Sequence, residues 1–263
     1  MTDSLHGKCA LITGSTQGLG LATAERLASA GCHVVLNGLG TEADVAAVRQ
    51  RLERDHGVRT LFIGADLRHP DEIDAMMREV LAEFGSVDVL VNNAVVRHAA
   101  PVEQFGVEAW DAAIAVNLSS AFHTIRLAIP GMKRNQWGRI VNVSSIYGLK
   151  GAANRVGYVT TKTALIGLTR AIAMEAIADG ITCNAVCPGT TETPVHEATV
   201  RALMAADHLT RDEAERRFLS TKQPTGRFIP AEHVADLIAF LCGPAGADIT
   251  GTALPVDGGW SVS

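Results

Sequence analysis

The chain lacks three things whose absence narrows its function. It has no long uninterrupted apolar run, no basic excess, and no basic leader followed by an apolar core. A membrane-crossing helix takes about 20 consecutive apolar residues, so no membrane partner is expected. Lys and Arg number 23 against 28 Asp and Glu, a formal net charge of −5. No broad positive field is therefore available for nucleic acid. The opening stretch, Met1 to Lys8, reads as no signal peptide and runs straight into a strand-like segment. Cysteine is sparse and odd in number: Cys9, Cys32, Cys183, Cys187 and Cys242, mostly inside apolar runs. They read as buried free thiols in a reducing cytoplasm. Cys183 and Cys187 have too few neighbouring ligands for zinc, and no metal site is expected. Repeats, low-complexity segments and linkers are also missing.

What remains is 263 residues, 47% hydrophobic and 19% charged, enough for one large domain with a sizeable core. Apolar runs of strand length fall at 9–13, 33–37, 60–64, 87–92, 138–144, 182–187 and 253–256. Helix-like segments lie between them at 18–30, 42–55, 70–84, 107–135, 156–179 and 231–241. The strand runs are continuous and not alternating, which predicts a parallel sheet covered on both faces. The sum is a single-domain, Rossmann-type doubly wound α/β fold with a seven-stranded parallel sheet. One segment breaks the rhythm. Residues 190–227 are polar and charged, with helical spacing at 195–205 and 211–220. The segment follows a strand end, where open α/β sheets place their ligands. It reads as a helical lid over a substrate, the alternative being a surface helical excursion.

Three motifs carry chemistry. The first is the loop of Gly14, Thr16, Gln17, Gly18, Leu19 and Gly20, between a strand run and an amphipathic helix. Gly14 permits the tight turn, and Gly18 and Gly20 let backbone amides and the helix start approach a pyrophosphate. The second strand ends at Asn37 with neither carboxylate nor cation nearby. A 2′-phosphate would find no partner there, so NAD is expected over NADP, with Asn37 bonding a ribose hydroxyl. Asp66 and Leu67 follow the third strand and can hold an adenine edge, although Asp66 can equally cap the following helix. Asn93 and Ala94, after Asn92, can line the cofactor cleft.

The second motif is Tyr158 and Lys162, one helical turn apart on one face. An ammonium beside a phenol favours the phenolate and makes it a usable base near neutral pH. The third is Ser145, at the end of the upstream strand, whose hydroxyl can hold a substrate oxygen. These parts describe hydride transfer between an alcohol and a nicotinamide. Asn117, inside a long apolar helix, is costly to bury unbonded. It either ties the helix to a neighbour or kinks it to hold a water.

With these residues, the full chain resembles the short-chain dehydrogenase/reductase family. The matching motifs are the glycine loop, Asn92-Asn93-Ala94, Asn117, Ser145, Tyr158-x-x-x-Lys162, Pro188-Gly189 and a terminal Val256-Asp257-Gly258-Gly259. The resemblance implies a catalytic tetrad of Asn117, Ser145, Tyr158 and Lys162, with Asn117 holding a proton-relay water. It implies that Tyr158 and Lys162 also meet the cofactor, and that Pro188, Gly189, Thr191 and Thr193 line the nicotinamide side. Dimers and tetramers through the two long helices are common in the family, so a homotetramer is expected. One departure is visible: the usual Gly after Asn-Asn-Ala is Val95.

Within the family the chain is most similar to the D-3-hydroxybutyrate dehydrogenase branch, through the stretches 35–40, 98–105, 222–224 and 257–260. That branch is NAD-linked. Its pocket residues differ here: Arg97 replaces Gln, Tyr147 replaces His, Arg155 replaces Lys, and Thr199 falls near a Gln position. Arg97 and Arg155 suggest an anion held by guanidinium groups, and surface arginines are the alternative. Tyr147 and Trp260 can supply walls, while His98 and His196 can do polar work in the pocket, the alternative being a structural or solvated role. The expected substrate is a small anionic hydroxy acid. A neutral polyol, sugar or cyclic alcohol dehydrogenase stays open, and so does a non-catalytic dinucleotide-binding regulator.

Overall fold

The computed structural model describes residues 5–192 and 194–263. Its strands are β1 (Cys9–Ile12), β2 (His33–Asn37), β3 (Thr60–Ile63), β4 (Val89–Asn92), β5 (Gly138–Val143), β6 (Ile181–Pro188) and β7 (Ala253–Val256). They form one parallel sheet in the order β3-β2-β1-β4-β5-β6-β7. Helices α1 (Gly18–Ser29), α2 (Glu42–His56), α3 (Pro70–Phe84), α4 (Val107–Ile114), α5 (Ser120–Asn135), α6 (Val156–Ala176) and α9 (Ala231–Cys242) connect them. Between β6 and α9 lie α7 (Pro194–Asp207) and α8 (Arg211–Leu219).

Burial explains the continuous apolar strands. Every residue of β1, β4, β5 and β6 is buried, since helices cover both faces. One layer packs Ala24 and Leu27 of α1 and Val234 and Ile238 of α9 against Ile12, Leu36 and Val141. The other packs Ile73 and Met76 of α3, Ile125 and Ala128 of α5 and Ala173 of α6 against Leu11, Leu90 and Ile140. Each fully buried Leu or Ile contributes about 1.5–3 kcal/mol. The chain leaves β1 towards β3 and then returns to start β4 on the other side of β1. That reversal opens a crevice at the carboxyl ends of β1 and β4, where such sheets bind ligands.

Two expectations are corrected. Residues 107–135 are not one uniform helix: a π turn at Ala115–Ser119 separates α4 from α5. The same span is, by length and composition, apolar enough to cross a membrane, although the sequence contains no unbroken apolar run of that length. Part of its apolar surface packs on the sheet and on α3 and α6, while Val107 and Phe122 stay exposed.

The excursion after β6 is built on two stems. Thr191 bridges Ile229 in parallel. The Gln223 amide nitrogen donates to the Arg227 carbonyl at 2.7 Å, and its oxygen accepts from the Thr190 amide. Val200, Ala214, Leu219 and Phe228 give the excursion a small core of its own. A Thr210–Glu213 capping box starts α8.

All five cysteines are buried and unpaired. Burial pushes their thiols up, Cys32 and Cys183 to about 12, so they stay protonated and inert.

Candidate active site

The glycine loop is shaped from below by side chains of the protein itself. Thr13 Oγ1 accepts from the Asn93 and Ala94 amides at 2.9 and 3.1 Å. The Asn93 amide nitrogen donates to the Thr13 and Gly14 carbonyls at 3.0 and 2.8 Å. A Cβ on Gly14 would lie 2.8 Å from Ala94 Cα, and one on Gly20 2.6 Å from Asn93 Nδ2. Above the loop there is space: Gly18 has φ +56° and a Cβ there would meet nothing within 4 Å. No side chain caps the start of α1, so its first amides point into that space. This closed floor and open top, at a helix N-terminus, fit a pyrophosphate. Thr16 is half-buried beside Gly38, while Gln17 is exposed. Leu19 is half-buried and packs on the core.

Several cofactor candidates are bonded within the protein itself. Asn37 is 1% exposed. Its amide nitrogen donates to the Ile63 and Ala65 carbonyls, both at 3.1 Å, and its oxygen accepts from Gly14 at 3.4 Å. It ties β2 to β3 and to the loop and has no donor left for a ribose. Asn93 is committed to the loop in the same way. The Asp66 carboxylate accepts from the Arg68 amide at 3.0 Å and from its guanidinium Nε at 2.9 Å. Those Arg68 contacts hold Asp66 below the usual carboxylate range despite partial burial. Leu67 is buried in the core.

The proposed reacting groups meet at the carboxyl ends of β4 and β5. Ser145 follows β5, and its hydroxyl accepts from the Tyr147 amide at 3.2 Å and acts on the Tyr158 phenol. Lys162 is 2% exposed. Its ammonium donates to the Val143 carbonyl at 2.6 Å and sits 5.7 Å from the Tyr158 ring centroid. Burial pushes the Tyr158 phenol up, but Lys162, Arg97 and the Ser145 hydrogen bond outweigh it, and the net shift is downward. Burial pushes Lys162 down as well, with Arg97 adding to the effect and Tyr158 opposing it. Asn117 lies in the π turn. Its oxygen accepts from the Val96 amide at 2.8 Å, and its nitrogen donates to the Val96 carbonyl at 3.0 Å and Thr161 Oγ1 at 3.3 Å. Both amide hydrogens are used. The side chain is a tie, so its nitrogen cannot hold a relay water.

Tyr147 and Trp260 form a wall beside Tyr158, with ring centroids 5.2 Å apart and Tyr147 6.3 Å from Tyr158. Trp260 is held by the turn Asp257–Gly259. The Asp257 carboxylate accepts from Gly259 and Ser261 at 3.0 and 2.7 Å, and Gly258 and Gly259 have φ +60° and +88°. Lys150 donates to the Trp260 carbonyl at 3.2 Å. Gly189 packs on Asp257 and Gln223, where a Cβ would lie 2.9 and 2.7 Å away. Pro188 ends β6 and Thr191 begins the excursion, so both border the crevice. Thr193 lies outside the described residues.

Arg97, Arg155 and Lys222 all act electrostatically on His196, whose Nδ1 bonds the Thr191 carbonyl at 2.7 Å. Among the described residues none of these three cations forms an ion pair. His98 packs edge-on against Phe105 and is structural.

Residues 8–203 match the short chain dehydrogenase family. The chain belongs to that family. It is 43% identical over 256 residues to a D-beta-hydroxybutyrate dehydrogenase of Cupriavidus necator, covering 97% of this chain and 98% of the relative. It is 38% identical over 265 residues to a cis-4-hydroxycyclohexanecarboxylate dehydrogenase of Sinomonas cyclohexanicum, covering 99% of each. Among solved structures, L-sorbose reductase from Gluconobacter frateurii, complexed with NADPH and L-sorbose, is 30% identical, covers 100% of both chains and has a TM-score of 0.94.

Short-chain dehydrogenases are oxidoreductases that use nicotinamide dinucleotides, and the loop described above fits that cofactor class. Val95, the departure from the family pattern, does not have positive φ, so its side chain strains no backbone there. Two features of this member escape sequence reasoning. Lys222 joins the cationic group from the far stem of the excursion, with only a shared tripeptide as a signal. The contact between Arg97 and Tyr158 has no sequence signal at all.

Proposed function

We propose that this enzyme interconverts a secondary alcohol and a ketone on a small anionic hydroxy acid, 3-hydroxybutyrate-like or larger, with NAD as cofactor. The observation that carries this reading is Arg155 and Lys222, which together with Arg97 act on His196 and form no ion pair among the described residues. Arg155 and Lys222 are half-buried, and partly desolvated cations without carboxylate partners favour a bound anion. The hydroxy acid and hydroxybutyrate dehydrogenases among the relatives support it. Tyr147 and Trp260 then wall the carbon skeleton, and α7–α8 serves as a lid over it.

Residue roles follow from placement. Tyr158, as phenolate, takes the hydroxyl proton of the alcohol. Lys162 stabilises that phenolate and lies where it can meet the nicotinamide ribose. Ser145 holds the substrate oxygen beside the phenol. Asn117 sets the geometry of α4–α6. A bound nicotinamide dinucleotide supplies the hydride acceptor or donor. Profiling hydroxy acids against neutral alcohols with NAD tests this reading. Comparable activity on neutral polyols that survives Arg155→Ala would replace it with the polyol alternative, which the likeness to L-sorbose reductase favours.

The NAD preference rests on the surroundings of Gly38. A Cβ there would lie 2.8 Å from Thr16 Cγ2, and Leu39 beyond it is 72% exposed. No cation follows β2; the next helix opens with Glu42 and Asp44, and the Asp44 carboxylate closes on Thr41 at 2.7 Å. A 2′-phosphate at this edge would meet negative charge and no donor fork. The kcat/KM with NAD should exceed that with NADP by roughly tenfold or more. A preference for NADP in the same assay would refute this assignment.

An oligomer built on α4–α6, as a homotetramer, is part of the reading. Val107, Phe122 and Met174 are exposed on these helices, Met174 at 75%, and Ile177 just after α6 is exposed too; a soluble monomer rarely leaves such groups uncovered together. Light scattering at micromolar protein should give a multiple of 27.7 kDa; a monomer mass would reject the assembly. The five buried free thiols support a reducing compartment such as the cytoplasm.

A further inference from the structure

We propose that Arg97 acts in catalysis as a second cation, over the Tyr158 ring, that joins Lys162 in holding the phenol ionised for proton abstraction. The proposal rests on the reading of Tyr158 as the base. Its geometry is built in three steps.

First, Asn117 grips both the N–H and the C=O of Val96, at 2.8 and 3.0 Å. This fixes the backbone one residue before Arg97. Second, the same amide donates to Thr161 Oγ1, which in turn donates to the Gly157 carbonyl at 2.8 Å. The loop bearing Arg97 is thereby tied to the turn of α6 that bears Tyr158. Third, the Arg97 guanidinium carbon lies 5.6 Å from the Tyr158 ring centroid, and its charge favours the ionised phenol. A cation over the ring favours the negative phenolate.

Two cations are not redundant. Lys162 is fully buried, and burial works against its charge. Arg97 is exposed, so no such burial works against its charge. The groups facing Tyr158 are Lys162 from α6, Arg97 from the loop after β4, and Ser145 and Tyr147 from the loop after β5. None is a carboxylate. Burial raises the Tyr147 phenol and outweighs Arg155, so Tyr147 stays neutral. Asp257 and Cys187 lie further off and act on each other, Cys187 also on Lys162. In oxidation, the O–H bond of the alcohol breaks as the phenolate oxygen gains the proton. Arg97 stabilises the charge present before that step.

The chain has only two tyrosines, so tyrosinate absorbance titrates Tyr158 against Tyr147 without substrate or turnover. In the wild-type protein one tyrosine should ionise well before the other, and Tyr147→Phe should leave that early step in place. Arg97→Gln should move the early step to higher pH, and Arg97→Lys should largely restore it. Oxidation by Arg97→Gln should fall on the order of 10-fold at neutral pH and recover at high pH, for a neutral alcohol as well as an acid. NADH binding, followed by fluorescence, reports that the variant is folded. An unmoved early step, or a raised KM for acids with an unchanged pH profile, overturns the proposal and leaves Arg97 as a substrate contact. If Tyr158→Phe stays active, the base assignment fails as well.

Discussion

Tyr158→Phe is expected to lower turnover by roughly 10²-fold or more, with dinucleotide binding retained. The substitution keeps the ring, and with it the wall formed with Tyr147, but deletes the oxygen on which Lys162, Arg97 and Ser145 converge. Lys162 keeps its 2.6 Å bond to the Val143 carbonyl, so the floor of the site survives. Proton abstraction loses its acceptor. The wild-type pH profile for oxidation should fall on the acid side as pH drops through the lowered Tyr158 pKa, because the phenolate is then protonated. That limb should vanish from whatever activity Tyr158→Phe retains. Near-normal turnover in the variant would remove Tyr158 from the reaction.

Arg155→Ala should raise KM for the preferred acid by roughly 30-fold, equivalent to about 2 kcal/mol. This is the lower end for a desolvated charge pair, because Arg155 is only half-buried. It stands at the start of α6, three residues before Tyr158, and acts electrostatically on Tyr147, His196 and Lys222. The pH profile of turnover should not move, which separates Arg155 from Arg97. Lys222→Ala should show a smaller effect of the same kind. An unchanged KM for acids in Arg155→Ala would remove the anion from the pocket.

The contrast between these arginines shows where sequence reasoning stops. Both were legible as departures from a familiar pocket, and both read as anion binders. Only the folded chain separates them, because the Asn117 amide holds the Val96 backbone and the Arg97 guanidinium lies over the Tyr158 ring. Asn37 and Asn93 carry the same lesson. Each sits at a strand end beside a glycine loop, and each was expected to face the cofactor. Both are consumed by backbone groups of the protein, with partners 26 and 80 residues away in the chain. Spacing along the sequence cannot reveal that an amide is already bonded.

The sequence by itself determined the architecture. Continuous apolar runs alternating with amphipathic segments leave a doubly covered parallel sheet as the way to bury them. A four-residue spacing puts Tyr158 and Lys162 on one helix face whatever the rest of the chain does. Local backbone geometry and hydrophobic period suffice for both. The tertiary structure alone decided the break in the 107–135 helix, the exhausted amides of Asn37, Asn93 and Asn117, and the grouping of Arg97, Arg155 and Lys222. Each depends on hydrogen bonds or fields between segments far apart in the chain, and these exist only once β4, β5 and α6 are packed.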